Sequence, residues 1–524
     1  MSNTKTIARN TGWYGLENAI SFIVTLLTSI AIARTLGPSK MGYIIYVTWI
    51  ASIVSSLGGV GIPETTRKYM AEFLGMGDTG TARYVYFRTL LLQMGVATLA
   101  TSGIVIWVLR DAGSGYILAS VLIALSIWPA MVNFVSAQAN VAAEELSRNF
   151  PASIVSTLVF FAIVAATVFL KWGVVGVGAA MFSMRAVDCA VRIVPTMGRI
   201  HRWDKGHVRP PGLSRRMLTF AWQSVTSMVL ALIVWNRSEI ILLKYLCTDI
   251  RQVAFYSVAF SMAERLLISS AVFGSAAGAT IFAQYGRDKS RLPAIAANSF
   301  RYLALSSIPL HLISAALATP ALLLLYGNQY RGAAWAVTLA PLLCLPKAFM
   351  TPAQNLLQSA ERQLYIILAT LLAGILDMSV AWYLIPAHGA VGACFGSGAA
   401  QILAVVTMWA ICIYLFEVKL PWRLLLKVAT ISVVAALTAH YVAVRLTPLW
   451  AVLAGGSASL VVLFGLLYAM RVLEPEDRER FGTFARMLPG PVAQFANNTI
   501  SLIIWPANRA YAIAAPSDDG TVSR

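Results

Sequence analysis

The residues that could do chemistry in this chain are the few charged ones that interrupt long apolar runs. Arg237 and Glu239 lie in one run, Glu264 and Arg265 in the next, Lys347 and Asp377 in two later ones. Glu17 lies in the first run, and Arg67 just beyond the second. An ionisable group within an apolar span is costly unless it faces protein or water. A guanidinium there can pair with phosphate oxygens in bidentate fashion, and an ammonium can do so as a point charge. A carboxyl can take up a proton or a cation. Arg237, Arg265, Lys347, Arg67 and Glu239 are therefore the ligand-binding candidates, and Glu17, Asp377 and Glu264 the coupling or gating ones.

Each has a plainer reading. The basic groups could form ion pairs between helices or reach the headgroup zone. Arg67, near a helix end, suits a gate or a headgroup contact, and Glu17 suits a helix start at the interface. Arg237 and Glu239, at i,i+2, point apart on a helix and cannot simply neutralise each other. Arg185, Asp188 and Arg192 share one helix face and read as a self-satisfied structural set. No catalytic group, metal cluster or cofactor motif can be argued. The five Cys and five His are scattered, with no C-x-x-C. GMGDTG (75–80) is formally a G-x-G-x-x-G but lacks the strand–helix context that would give it meaning.

The elements that carry these residues follow from composition. Hydrophobic residues make up 58% of 524 and charged ones 12%, with a mean hydropathy of +0.72. Soluble domains carry about 25% charged residues. Apolar runs of helical-span length recur throughout, which predicts an all-α integral membrane protein with about 14 spans. A closed β-barrel would need alternating segments of about 10 residues, and none is present. The polar start and a first run long enough to remain a span predict no cleaved signal peptide.

The first two spans, about 12–34 and 41–62, form a hairpin broken at Leu36-Gly37-Pro38 and ended at Gly61-Ile62-Pro63. With the N-terminus inside, most of the 40 Lys and Arg fall on inner loops, so both termini are expected in the cytoplasm. The +18 charge then reflects topology and a face near anionic lipid, and nucleic acid is not needed to explain it. The densest basic loop, 198–216, follows six spans. Residues 33–46 echo 243–256 at an offset of 210, and 172–178 echo 388–394 at an offset of 216. Two six-helix lobes are expected, related by a pseudo-twofold along the membrane normal, with a site between them. The expected divisions are 1–205, 206–420, two additional helices in 421–470, and a cytoplasmic tail at 471–524. Pro341, Pro346 and Pro352 surround Lys347 and predict a bend in the tenth span.

Four stretches then carry a resemblance. They are ARTLGPSKMG with GIPETTRKYMAEFLGMGD, the segment 235–267, LLYGNQYRGAA (324–334), and 358–397. Together they resemble the polysaccharide-transporter branch of the multidrug/oligosaccharidyl-lipid/polysaccharide exporter superfamily, over residues 10 to about 470. Cys247 departs from a common glycine, Glu239 from the usual aspartate, and His388 from a frequent basic or aromatic residue. The resemblance implies a flippase for polyprenyl-pyrophosphate-linked oligosaccharides, as in O-antigen or exopolysaccharide synthesis, in a bacterial inner membrane. The basic candidates would meet the pyrophosphate and acidic sugars in a central cavity. Polysaccharide polymerase machinery would be a partner, alongside membrane lipids.

No G-x-x-x-x-G-K-[ST] loop is present, so ATP is not expected to drive the cycle directly. A cation-coupled drug or metabolite antiporter of the same superfamily is the alternative, with Glu17, Glu239 or Asp377 as cation ligands. A membrane glycosyltransferase or polymerase is disfavoured by short outer loops and the absence of D-x-D. The protein is thus expected to be a carrier and not an enzyme.

Overall fold

The computed structural model describes residues 2–59, 61–111, 113, 115–204, 210–222, 225, 237–473 and 477, with side chains from Ile23 onward except at 111, 146, 272, 275, 276, 279, 280, 283, 286 and 287. Among the described residues there are helices and no strands. Eleven stretches are long and apolar enough to cross a membrane. One of them, Ile23–Gly75, holds the second run of the opening hairpin and the part of the first from Ile23 onward. Residues 223, 224 and 226–236 of the expected seventh span, 217–243, lie outside the described residues, as do most of the tail and residues 205–209 of the basic loop.

The opening helix α1 (Ser2–Gly58) is two helical segments meeting at Gly37, whose φ of 73° and ψ of 169° are non-helical. Pro38 follows and can offer no backbone donor, so the expected break falls where the glycine makes it possible. A second break at Gly61, also left-handed at φ 65°, sets off α2 (Ile62–Gly75). Pro63 and Glu64 occupy its first turn, the positions where proline and acids favour a helix start. α3 (Thr79–Asp111), α4 (Ile117–Leu125), α5 (Ile127–Ala142), α6 (Phe150–Phe169) and α7 (Gly173–His201) follow. The expected fourth span is thus two helices meeting at Ser126, whose hydroxyl bonds back to the Ile123 carbonyl at 2.6 Å. Pro129, in the first turn of α5, cannot donate to the preceding turn, and the break falls just before it.

Beyond the undescribed stretch come α8 (Glu239–Leu246), α9 (Arg251–Arg287), α10 (Leu292–Tyr326) and α11 (Ala334–Cys344). Then follow α12 (Met350–Ser359), α13 (Gln363–His388), α14 (Ala390–Phe416), α15 (Trp422–Ala443) and α16 (Pro448–Ala469). The expected bend in the tenth span is a 3-10 turn, Leu345–Phe349, which carries Pro346 and Lys347. All five cysteines are free, four of them buried.

The chain divides into two compact units. The first comprises Met1–Phe260, Leu325–Ala336 and Ile367–Leu403. In it, the two segments that echo each other in sequence are in contact. A Cβ on Gly42 would lie 2.3 Å from the Ile250 carbonyl oxygen, and Lys244 stands over the Tyr46 ring at 5.8 Å. The third motif joins them. Arg34 Nε donates to the Leu325 carbonyl at 2.7 Å, while Gln329 Nε2 donates to the carbonyls of Ala33 and Arg34 at 3.3 and 3.0 Å. Gln252 Oε1 accepts from the Ala390 backbone N–H at 2.9 Å. The quoted motifs are therefore packing and hydrogen-bonding surfaces for one another. Gly42→Val is expected to lose at least about 1–3 kcal/mol, because a backbone carbonyl cannot retreat as a flexible side chain can. The melting temperature and yield of purified protein check this.

The second unit comprises Ser261–Leu324, Val337–Ile366 and Ala404–Arg524. Its last two spans pack through small residues. Ala439, Ala443 and Ala451 surround Leu317, and a Cβ on Gly455 would lie 3.0 Å from the Ala439 carbonyl oxygen. Small residues let helix backbones approach closely where apolar lipid offers no hydrophobic drive to association. Phe300 stacks on Phe349 at 4.5 Å and meets Trp409 edge-on at 4.9 Å, and Trp409 donates to the Phe349 carbonyl at 2.9 Å. That aromatic set braces the 3-10 turn that carries Lys347.

Candidate functional site

The first unit contains a buried acidic pair. Glu239, in the first turn of α8, is 2% exposed, and Asp377, within α13, is 1% exposed. Their side chains interact directly, and Tyr256 from α9 and Ser397 from α14 lie beside the Glu239 carboxyl. Gln401, one turn beyond Ser397, donates to its hydroxyl at 3.2 Å. Several oxygens of this cluster are buried without a well-formed hydrogen bond: Asp377 Oδ1, the Tyr256 hydroxyl and Gln401 Oε1.

Local sequence explains how the pair comes together. Glu239 sits at a helix start, where a carboxyl is favourable and the chain has just left a non-helical residue, Arg237, at φ 56°. Gly396 lets α14 close on α13, since a Cβ there would lie 2.9 Å from Asp377 Oδ1 and 2.9 Å from the Ala381 Cβ. Two carboxyls that touch in a dry interior cannot both ionise without a counter-charge. They must share a proton or hold a cation between them. The donors on hand are carboxyl, hydroxyl and amide oxygens, a set suited to a hard cation or a proton and poorly suited to a soft metal.

The other sequence candidates are distributed as follows. Arg237 lies over the Phe260 ring, its guanidinium carbon 4.6 Å from the centroid, while Glu239 is directed into the acidic pair. The two therefore have separate partners, and Arg237 lies before the helix start and not on one helix with Glu239 as the i,i+2 reading assumed. Arg67 is exposed on α2. In the second unit, Arg265 is half-buried and Glu264 exposed on α9, and Lys347 is half-buried in the 3-10 turn. Glu17 falls on α1, with its side chain outside the described residues. Asp188 and Arg192 pair at 2.7 Å, and Asn133 and Ser153 complete a buried network around them.

Glu239 and Asp377 were thus separate candidates, one for ligand and one for coupling, that the structure brings into one site. Tyr256, Ser397, Gln401 and Gly396 were not singled out as site residues. A tyrosine, a serine, a glutamine and a glycine in apolar helices carry no charge penalty to draw attention to them.

A family model described as polysaccharide biosynthesis protein matches residues 7–282. Among the curated proteins there is no match. Among solved structures, the lipid II flippase MurJ in an inward closed conformation superposes with a TM-score of 0.70 at 11% identity, over 87% of this chain and 98% of that one. An inward-facing multidrug resistance MATE family transporter of the MOP superfamily gives a TM-score of 0.63 at 14% identity, over 76% and 94%. A MOP superfamily transporter from Pyrococcus furiosus gives 0.54 at 14%, over 78% and 95%. At these identities the likeness is one of fold, and the fold is that of an all-α membrane transporter. The family model spans more than half of the sequence, so the chain belongs to the polysaccharide biosynthesis protein family.

Proposed function

We propose that this protein flips polyprenyl-pyrophosphate-linked oligosaccharide units across the bacterial cytoplasmic membrane for surface polysaccharide synthesis, O-antigen or exopolysaccharide. Two lobes, 1–205 and 206–420, alternate in access, with both termini in the cytoplasm. Polysaccharide polymerase machinery receives the product on the far side. Family membership supports the glycan class, and the fold shared with MurJ supports a lipid-linked substrate.

The observation that carries the reading is the buried Glu239–Asp377 pair. A carrier without ATP chemistry needs an element whose charge changes during its cycle. Two touching carboxyls are such an element, because binding or losing one proton or cation reverses the sign of their mutual interaction. Arg237, Arg265, Lys347 and Arg67 are the groups proposed to meet the pyrophosphate, and Glu264 and Glu17 to gate or couple.

The test is a deletion strain assayed for surface glycan and for lipid-linked units on the inner leaflet. Loss of the glycan with accumulation of the lipid-linked units is expected. Complementation by the wild type and failure of a well-expressed Arg237→Ala, Arg265→Ala double variant would locate the substrate contacts. A second reading, a cation-coupled antiporter, draws on the same acidic pair and the MATE-like fold. It predicts unchanged surface glycan and raised sensitivity to toxic cations.

A further inference from the structure

A separate cleft in the second unit lies where α9 and α14 end and α10 begins. Its volume is about 300 Å³. Leu292, Pro293, Leu415 and Phe416 form an apolar wall, and Tyr285, Lys289 and Glu417 supply the polar groups. Lys289 is placed by a 3-10 turn, Lys289–Arg291, that Asp288 caps. Asp288 Oδ1 accepts from the Ser290 hydroxyl at 2.6 Å and from its backbone N–H at 3.0 Å, and Arg291 pairs with Oδ2 at 3.3 Å. Those Ser290 bonds, with Arg291 beside them, hold the Asp288 carboxyl below its usual range and keep it engaged in the turn. The Lys289 ammonium lies 4.4 Å from the Tyr285 ring centroid.

Glu417 is exposed, with a left-handed backbone at φ 54° immediately after α14. Among the described residues it makes no ion pair or side-chain hydrogen bond, so the two opposite charges lining this cleft do not neutralise each other. The depth is that of a membrane interface. Tyr414 and Trp422, on either side of Glu417 in sequence, are 85% and 62% exposed, and such aromatic residues favour the headgroup level. Arg291, Lys419 and Arg423, neighbours of the lining residues in sequence, belong to the side that the positive-inside distribution makes cytoplasmic.

We propose that this cleft binds the headgroup of a phosphatidylethanolamine-type lipid from the inner leaflet. The phosphodiester pairs with Lys289, the primary ammonium donates to the Glu417 carboxylate, and the upper acyl chain lies on the Leu292–Phe416 wall. A quaternary choline headgroup carries the same charges but has no N–H to donate. A glycerol headgroup offers neutral hydroxyls and leaves the Glu417 carboxylate without a counter-charge. The site thus favours a primary ammonium over both.

Native mass spectrometry of the full chain in detergent tests this, with ethanolamine, choline and glycerol phospholipids of one acyl composition added singly and in competition. The wild type is expected to retain one ethanolamine lipid saturably, preferred by about tenfold, the worth of one charge-assisted hydrogen bond. Glu417→Gln is expected to remove the preference and Glu417→Lys to reverse it in favour of the glycerol lipid. Lys289→Met is expected to weaken all three. Both side chains are exposed, so wild-type melting of the variants is expected and is measured alongside. Saturable preference for the glycerol lipid by the wild type, an unchanged ethanolamine preference in Glu417→Gln, or no saturable lipid at all overturns the proposal.

Discussion

Replacing Glu239 with Gln, or Asp377 with Asn, is expected to reduce transport by at least roughly 10–100-fold, the scale on which even supporting groups of an ion site act. Folding stability should stay at or above that of the wild type. Both effects have one cause. The carboxyls are 2% and 1% exposed and interact directly, so one of them must be neutralised in this buried arrangement. An amide of the same shape keeps the hydrogen-bonding geometry, removes the need for that counter-charge and abolishes the change of charge. The measurement is lipid-linked substrate flipping in proteoliposomes across imposed proton and sodium gradients, beside thermal melting of the same samples. The wild-type rate should depend on one of the two gradients, and each variant should lose that dependence. A variant that melts far below wild type, or that still responds to the gradient, would show the pair to be a structural element. Gly396→Val is expected to behave differently, losing stability as well as activity, because its side chain would displace Asp377 itself.

The second large effect is expected at the start of the tail. Asp477 is 0% exposed and receives both Arg301 Nη1 at 3.0 Å and Arg301 Nη2 at 2.6 Å, with the Tyr302 hydroxyl donating at 2.7 Å. All three residues belong to the second unit. Asp477→Ala is expected to destabilise by up to about 3–5 kcal/mol, since it takes a bidentate counter-charge from a buried guanidinium. Arg301→Met combined with Asp477→Leu should recover most of that loss, because replacing both charges by apolar groups removes the desolvation cost as well as the attraction. Truncation before Asp477 should resemble the single variant. Half-life at a fixed elevated temperature is the appropriate readout, as membrane proteins commonly unfold irreversibly. If the truncated chain lasts as long as wild type, Arg301 finds another partner and the ion pair is not what anchors this segment.

The class of the protein was legible in its sequence, and so were most helix ends. Gly37 and Gly61 marked two breaks, and Pro346 a third, because backbone freedom and a missing N–H act locally wherever they occur. The penalty for a charge in an apolar run likewise exposed Glu239 and Asp377 as residues needing an explanation. Their partnership was beyond reach, since 138 positions separate them and nothing in either helix encodes which neighbour it meets. The same holds for Asp477, which read as one acid in a helix-start signal and is a buried counter-ion for Arg301. Local chemistry therefore determined what must be paired, and only the packing of helices decided with whom, because a charge penalty fixes a need while pairing requires two atoms within hydrogen-bonding distance in space.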